Sequence, residues 1–257
     1  MLPDDASYFS FVTAEFVLAA VTLAVLSFIA APYGRHREGS ALPQGPLIPS
    51  RLGWILMESP AVLVYIVIFA QGEHRADLVP LLLLGMWQLH YVHRTFIFPF
   101  RLRASGKKMP LYVALLAVGF NLLNAYVNAR WISHLGDYGP SWLTDPRFLL
   151  GVVVFFVGMG INLHSDTVLL NLRKPGESGY KIPQGGLYRW VSSPNYLGEI
   201  IEWFGWALAT WSLGGLAFAV YTFANLAPRA ITNHRWYLEK FPDSYPERRR
   251  ALIPWLW

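Results

Sequence analysis

Apolar residues run along this chain in blocks about as long as a bilayer is thick. About 20 mostly apolar residues cross the roughly 30 Å hydrocarbon core as a helix. Seven such blocks occur, at approximately 11–31, 52–70, 78–98, 110–131, 147–170, 196–213 and 215–232. They predict an all-α membrane protein with one seven-helix transmembrane domain over 1–257. Only the Leu213-Gly214-Gly215 region separates the last two blocks, which predicts a tight helical hairpin there. Segment 171–195 is rich in Gly, Pro and Ser and reads as punctuated loop. Its density of hydrogen-bonding groups suggests that it lies on a polar ligand. No internal repeat or low-complexity tract interrupts this pattern.

Charge gives the blocks a direction. Eighteen of the 21 basic residues, Arg37 and Arg103 among them, fall on connections 32–51, 99–109 and 171–195, on the tail, or on the adjoining helix ends. Only Arg75, Arg130 and Arg147 fall on the other side. By the positive-inside rule the C-terminus is cytosolic and the N-terminus is outside or lumenal. The start carries Asp4 and Asp5 and no basic residue before Arg35, so a cleaved signal peptide is not expected.

Composition narrows the class further. The chain is 54% hydrophobic and 14% charged, whereas a soluble domain averages about a quarter charged. The net charge of +5 sits between apolar blocks, which points to orientation rather than to nucleic acid. Cysteine is absent, which excludes disulfides and thiolate metal sites. Together with the lack of an N-x-S/T sequon, this leans toward a bacterial inner membrane over the endoplasmic reticulum.

Ionisable groups inside a membrane are costly, so they are candidates for function. Glu58 lies about 10 Å deep in the second block, two residues before Pro60, where a kink is expected. Tyr91 lies about as deep in the third block, which runs the other way, beside His90, His93 and Arg94. A metal reading of His90 and His93 lacks further ligands close in sequence, and no metal is expected. Asn162 and Asp166 share one helical face, next to His164 and Ser165, and Glu199 and Glu202 share another, just after Asn195. Gly158-x-Gly160 lacks the third glycine of a dinucleotide fingerprint. The last block runs into Arg229, Asn233, His234 and Tyr237, a set suited to a phosphorylated ligand. Glu15 stands alone in the outer half of the first block, either paired or uncharged. A polar cavity open to one side only fits an enzyme better than a channel.

At these motifs the sequence resembles the steroid 5α-reductase family, the 3-oxo-5α-steroid 4-dehydrogenases. The matching pieces are PYGRH (32–36), the Glu58-x-Pro60 region, LHYVHRTF (89–96), GMGINLHSD (158–166), LRKPGESGYKIPQGGLY (172–188), NYLGEIIEW (195–203), HRWYLEKFP (234–242) and ALIPWLW (251–257). The resemblance implies seven spans, NADPH as hydride donor and a Δ4-3-oxosteroid as acceptor. It implies that Glu58 and Tyr91 contact the steroid 3-keto oxygen as the catalytic pair, with Arg94 beside the substrate. It further implies that Asn162, Asp166, Arg173, Tyr180, Asn195, Glu199, Arg229, Asn233 and Tyr237 hold the dinucleotide. Lys181, Pro194 and Asn233 depart from residues that family members can carry, changes expected to retune cofactor contacts and to leave the implied chemistry intact.

The implied chemistry suits the residues. Hydride goes to the β carbon of an enone, and donors aimed at the carbonyl oxygen stabilise the developing enolate. Tyr91 can donate, and Glu58 can donate in its protonated form. The proton donor to the α carbon is not assigned. The steroid is expected to enter from the bilayer between spans of a monomer. Polyprenol, trans-2-enoyl and sterol C14/C24 reduction remain alternatives of the same class. SAM-dependent methyl transfer leaves Glu58 and Tyr91 without a role. A seven-span receptor or transporter fits poorly with one-sided polar depth and absent paired repeats.

Overall fold

A computed structural model describes residues 5–31, 34–36, 43, 45–102, 106–174, 177 and 179–256. Pro32 and Tyr33 of the PYGRH motif, Arg37 and Arg103 of the basic set, and Pro175, Gly176 and Ser178 of segment 171–195 lie outside the described residues.

The chain is mostly helical. Its long helices are α1 (Asp5–Phe28), α2 (Ser50–Phe69), α3 (Leu78–Val92), α4 (Leu111–Arg130), α5 (Pro146–Asn171), α6 (Pro194–Thr210) and α7 (Leu213–Lys240). α3 continues through a π-turn at His93–Ile97 into a last helical turn at Phe98–Arg101. Among the described residues, four stretches are long and apolar enough to cross a membrane: Ser7–Phe28, Ser50–Phe69, Leu111–Leu135 and Pro146–Asn171. α3 is interrupted by its π-turn, and α7 is diluted by Asn225, Arg229, Asn233 and His234. The exterior is apolar: Val17, Val21, Leu63, Val67, Leu116, Val153 and Val157 are all exposed. An aqueous surface rarely presents so much contiguous apolar area.

Two short strands, β1 (Leu47–Pro49) and β2 (Lys108–Pro110), pair antiparallel with Ile48 opposite Met109. They bring the starts of α2 and α4 to one end of the bundle. The core is aromatic. Trp87 is fully buried, with Tyr65, Tyr91, Trp203, Trp206 and Phe218 rings centred 4.5–5.5 Å away.

α5 and α6 meet backbone to backbone along four glycines spaced by seven. A Cβ on Gly151 would come 2.3 Å from Ala209 N, and one on Gly158 would come 2.2 Å from Glu202 N. On the other helix, a Cβ on Gly198 would come 2.5 Å from Asn162 N, and one on Gly205 would come 2.3 Å from Phe155 N. Small residues permit such close approach between helices in lipid.

Two local expectations are corrected. The α6–α7 break falls at Trp211-Ser212, not at the glycines. Trp211 adopts a left-handed φ of 46°, and the Ser212 hydroxyl accepts from Gly215 N at 2.9 Å, capping α7. Gly214 and Gly215 lie inside α7, where a Cβ would strike Val127 or Thr210. Pro60 is buried within α2, which runs unbroken from Ser50 to Phe69. α7 also runs well past 232 to Lys240 because its polar face has a loop and the tail to pack against. That packing is visible at Ser192, whose Oγ lies 2.6 Å from both His234 Nδ1 and Tyr245 OH.

Candidate active site

Glu58, Ala61, Val62 and Tyr65 recur at i, i+3, i+4 and i+7, so they share one face of α2. That face is the inward one, since Ala61, Val62 and Tyr65 are buried. Trp87 of α3 donates its indole N–H to Ala61 O at 2.8 Å and stacks on Tyr65 at 4.5 Å. These contacts fix the height of α3 against the antiparallel α2. Glu58 is three residues from Ala61 and Tyr91 is four from Trp87, each toward the same end. At about 1.5 Å per residue the two differ in height by about 1.5 Å. Tyr91 is buried, its ring packed between Trp87, His90 and Trp203. Glu58 is half-buried and accepts from Asn121 Nδ2 at 3.4 Å.

One turn further toward the same end come Trp54 of α2 and Arg94 of the π-turn. The Arg94 guanidinium lies 4.9 Å from the Trp54 ring centre and 4.7 Å from that of Phe98. It donates to Asp166 Oδ2 at 3.1 Å and to Glu199 Oε2 at 3.4 Å. Arg94 is therefore paired with these two acids, not with Glu58. Asn195 donates to Asp166 Oδ1 at 3.0 Å, and Asn162 donates to Asn195 O at 2.9 Å and Glu199 Oε2 at 3.3 Å. The glycine seam holds α5 and α6 close enough for these bonds. His90 Nδ1 and Glu202 Oε1 form a second buried pair at 2.8 Å.

Beyond Trp54 and Arg94 opens a cavity of about 550 Å³. Asp166, Arg173, Tyr180, Asn195, Arg229, Asn233 and Tyr237 line it, as does Arg94. Asn162 and Glu199 stand behind its wall and hold Asn195 and Arg94 in position. Glu58 and Tyr91 lie one helical turn deeper and do not line it. Arg229 donates to Tyr196 OH at 3.1 Å and stacks 5.0 Å over that ring. Asn233 meets His36 Nε2 at 3.0 Å, and Arg173 donates to Gly179 O at 3.0 Å. Tyr180 packs edge-on against Trp236 at 4.7 Å.

Several lining residues were not singled out in the sequence. Trp54 stands one turn before Glu58 on its face, and Tyr196 follows Asn195, so helical spacing could have found both. His36, Lys107 and Lys108 reach the cavity from connections, where no periodicity marks them. Among the described residues, no three His, Asp or Glu side chains converge as a metal site. Glu15 is fully buried, and neither carboxyl oxygen has a hydrogen-bond partner among the described residues.

Comparison with known proteins gives this geometry a setting. Residues 107–257 match the family described as 3-oxo-5-alpha-steroid 4-dehydrogenase. A steroid 5-alpha-reductase DET2 of Solanum lycopersicum is 45% identical over 260 residues, covering 100% of both chains. A 3-oxo-5-alpha-steroid 4-dehydrogenase 1 of Bos taurus is 45% identical, covering 94% of both. The one of Homo sapiens is 46% identical, covering 87% of this chain and 85% of its own. Such likeness over the chain's length marks an enzyme of the oxidoreductase class, built on apolar helices. The chain belongs to the 3-oxo-5-alpha-steroid 4-dehydrogenase family, the steroid 5-alpha-reductases.

Proposed function

We propose that this chain reduces the Δ4 double bond of a 3-oxo-Δ4-steroid to the 5α-dihydrosteroid, with NADPH as reductant. The observation that carries this reading is the height that Glu58 and Tyr91 share on antiparallel helices, one turn below a cavity rich in cations and aromatic rings. A dinucleotide fits that cavity by volume and by chemistry. Arg173, Lys181 and Arg229 suit phosphates, Tyr180, Tyr196 and Tyr237 suit planar rings, and Asp166 and Asn195 suit amide or hydroxyl groups.

NADPH supplies the hydride, which goes to C5 of the steroid. The chain's part is position and electrostatics. The Tyr91 hydroxyl and a protonated Glu58 donate hydrogen bonds to the 3-keto oxygen and stabilise the enolate that forms there. Asn121 orients the Glu58 carboxyl from α4. Arg94 and Trp54 separate the enone end from the phosphate end. Protonation at C4 completes the two-hydrogen gain.

The same reading makes the chain a seven-span monomer with a cytosolic C-terminus. It is a multi-pass protein of the bacterial inner membrane or, in a eukaryote, of the endoplasmic reticulum. The steroid reaches Glu58 from the bilayer, between spans. Incubation of the purified protein with NADPH and testosterone or progesterone tests the reaction. Loss of absorbance at the nicotinamide band with a two-hydrogen mass gain in the steroid supports it. Oxidation of NADPH without that gain, or no reaction with either steroid, rejects it.

A further inference from the structure

A second cavity, of about 590 Å³, lies on the far face of α5 from the site just described. Its floor is Phe156, Val157, Gly160 and Ile161, on the outward side of α5. Its other end is formed by His164 of α5 and by Arg189 and Trp190 of the loop that precedes α6. The groove is thus amphipathic along its length. Apolar residues line the part nearer the middle of α5, and polar groups line the part nearer its C-terminal end. Among the described residues, no acidic side chain lines it.

The neighbouring surface repeats the same order. Trp190 is exposed, and its ring lies 6.0 Å from that of Trp255, which is 78% exposed, as is Leu256. Tryptophans exposed in this way settle at the headgroup level of a bilayer. Arg250 N donates to Trp190 O at 2.8 Å, which sets the exposed Arg248 and Arg250 beside the groove's polar end. The loop rests directly on α5 here, since a Cβ on Gly186 would come 2.6 Å from His164 Nε2.

We propose that this groove binds one anionic phospholipid from the surrounding leaflet. An acyl chain lies along Phe156, Val157, Gly160 and Ile161. The phosphate meets the Arg189 guanidinium and the His164 imidazole, with Trp190 at the glycerol level. Charge complementarity selects the occupant. A basic pocket at the cytosolic headgroup level favours anionic over zwitterionic lipid. The inference rests on the chain being embedded in a membrane, not on the steroid chemistry.

The test is lipid retention, read without turnover. The full chain is reconstituted in bilayer nanodiscs of equal phosphatidylglycerol and phosphatidylcholine, extracted into detergent, and weighed intact by native mass spectrometry. Phosphatidylglycerol is expected to be retained about tenfold over phosphatidylcholine. Arg189→Glu combined with His164→Ala should abolish that preference. Gly160→Phe fills the trough without touching the cations. Its Cβ meets nothing within 4 Å, so the fold tolerates it. It should abolish retention of the bound lipid. Equal retention of both lipids by the native chain overturns the proposal. So does a preference that survives Gly160→Phe, because diffuse surface charge then accounts for it.

Discussion

The Arg94 guanidinium lies over the Trp54 ring, 4.9 Å from its centre, at the boundary between the large cavity and the level of Glu58 and Tyr91. The same guanidinium donates to the buried Asp166 and to the half-buried Glu199. One side chain therefore ties α2, α3, α5 and α6 together at the level where cofactor and substrate would meet.

Removing Arg94 should cost more than its own contacts. Arg94→Ala leaves Asp166 and Glu199 without their cation, and breaking such a buried pair costs about 3–5 kcal/mol. The variant should lose most of its thermal stability in detergent. Arg94→Lys should recover only part, since an ammonium cannot serve both acids and stack on Trp54 at once. A melting temperature unchanged in Arg94→Ala would mean that the network is not structural.

The enolate donors should be separable from cofactor binding. Glu58→Leu and Tyr91→Phe are each expected to lower kcat by about 10²–10³-fold, the usual effect of removing an oxyanion donor. The KM for NADPH should change little, because neither residue lines the large cavity. Near-normal kcat in either variant would remove that residue from the mechanism.

The shared height of Glu58 and Tyr91 was legible because helical rise converts sequence position to height in adjacent antiparallel helices. Asn162 with Asp166, and Glu199 with Glu202, were legible as helical faces, though Glu199 pairs with Arg94 and Glu202 with His90. The placement of Arg94 was not, since a π-turn leaves no periodic signature and its partners lie on distant helices. Gly158 had been weighed only against a nucleotide motif, and its backbone contact with α6 depends on a helix 40 residues away. Gly214 and Gly215 were misread as a turn because glycine marks both turns and close helix approach. Residues 36, 107 and 108 sit on connections whose course is set by the β1–β2 pairing.

The glycine seam makes a sharp contrast available. Gly158→Leu and Gly198→Val each place a side chain against backbone at 2.2–2.5 Å, so neither can be accommodated without parting α5 from α6. Each should cost about 1–3 kcal/mol or more and abolish monodisperse expression. Gly119→Ala, whose Cβ meets nothing within 4 Å, should be neutral or slightly stabilising, as expected for glycine replaced in a helix. Equal yields for all three, by size-exclusion chromatography, would deny the seam its role.

Orientation can be read directly because the chain has no cysteine. Single cysteines introduced at 108 and at 75 should label oppositely with a membrane-impermeant maleimide applied to intact cells. Position 75 should react and position 108 should react only after lysis. The reverse pattern would invert the topology.

His234, beyond the last apolar block, is held below the usual imidazole range by burial and by Arg250 and Arg249. The unfolded chain therefore takes up this proton first as pH falls. Stability from this group is intact above the ordinary imidazole pKa and declines as pH drops through it toward the lower folded value. The melting temperature should fall between about pH 7 and pH 5, and His234→Gln should flatten that slope. An identical slope in the variant would assign the acid sensitivity elsewhere.

The π-turn at His93–Ile97 has a consequence for everything that follows it on α3. A turn of this kind absorbs one residue more than an α turn, which shifts the angular phase of later side chains by about 100°. Tyr91 stays on the side facing the aromatic core, while Phe98 swings round under Arg94. A single inserted residue thus lets one rod address two chemically different neighbours, and its removal would realign them onto a common meridian.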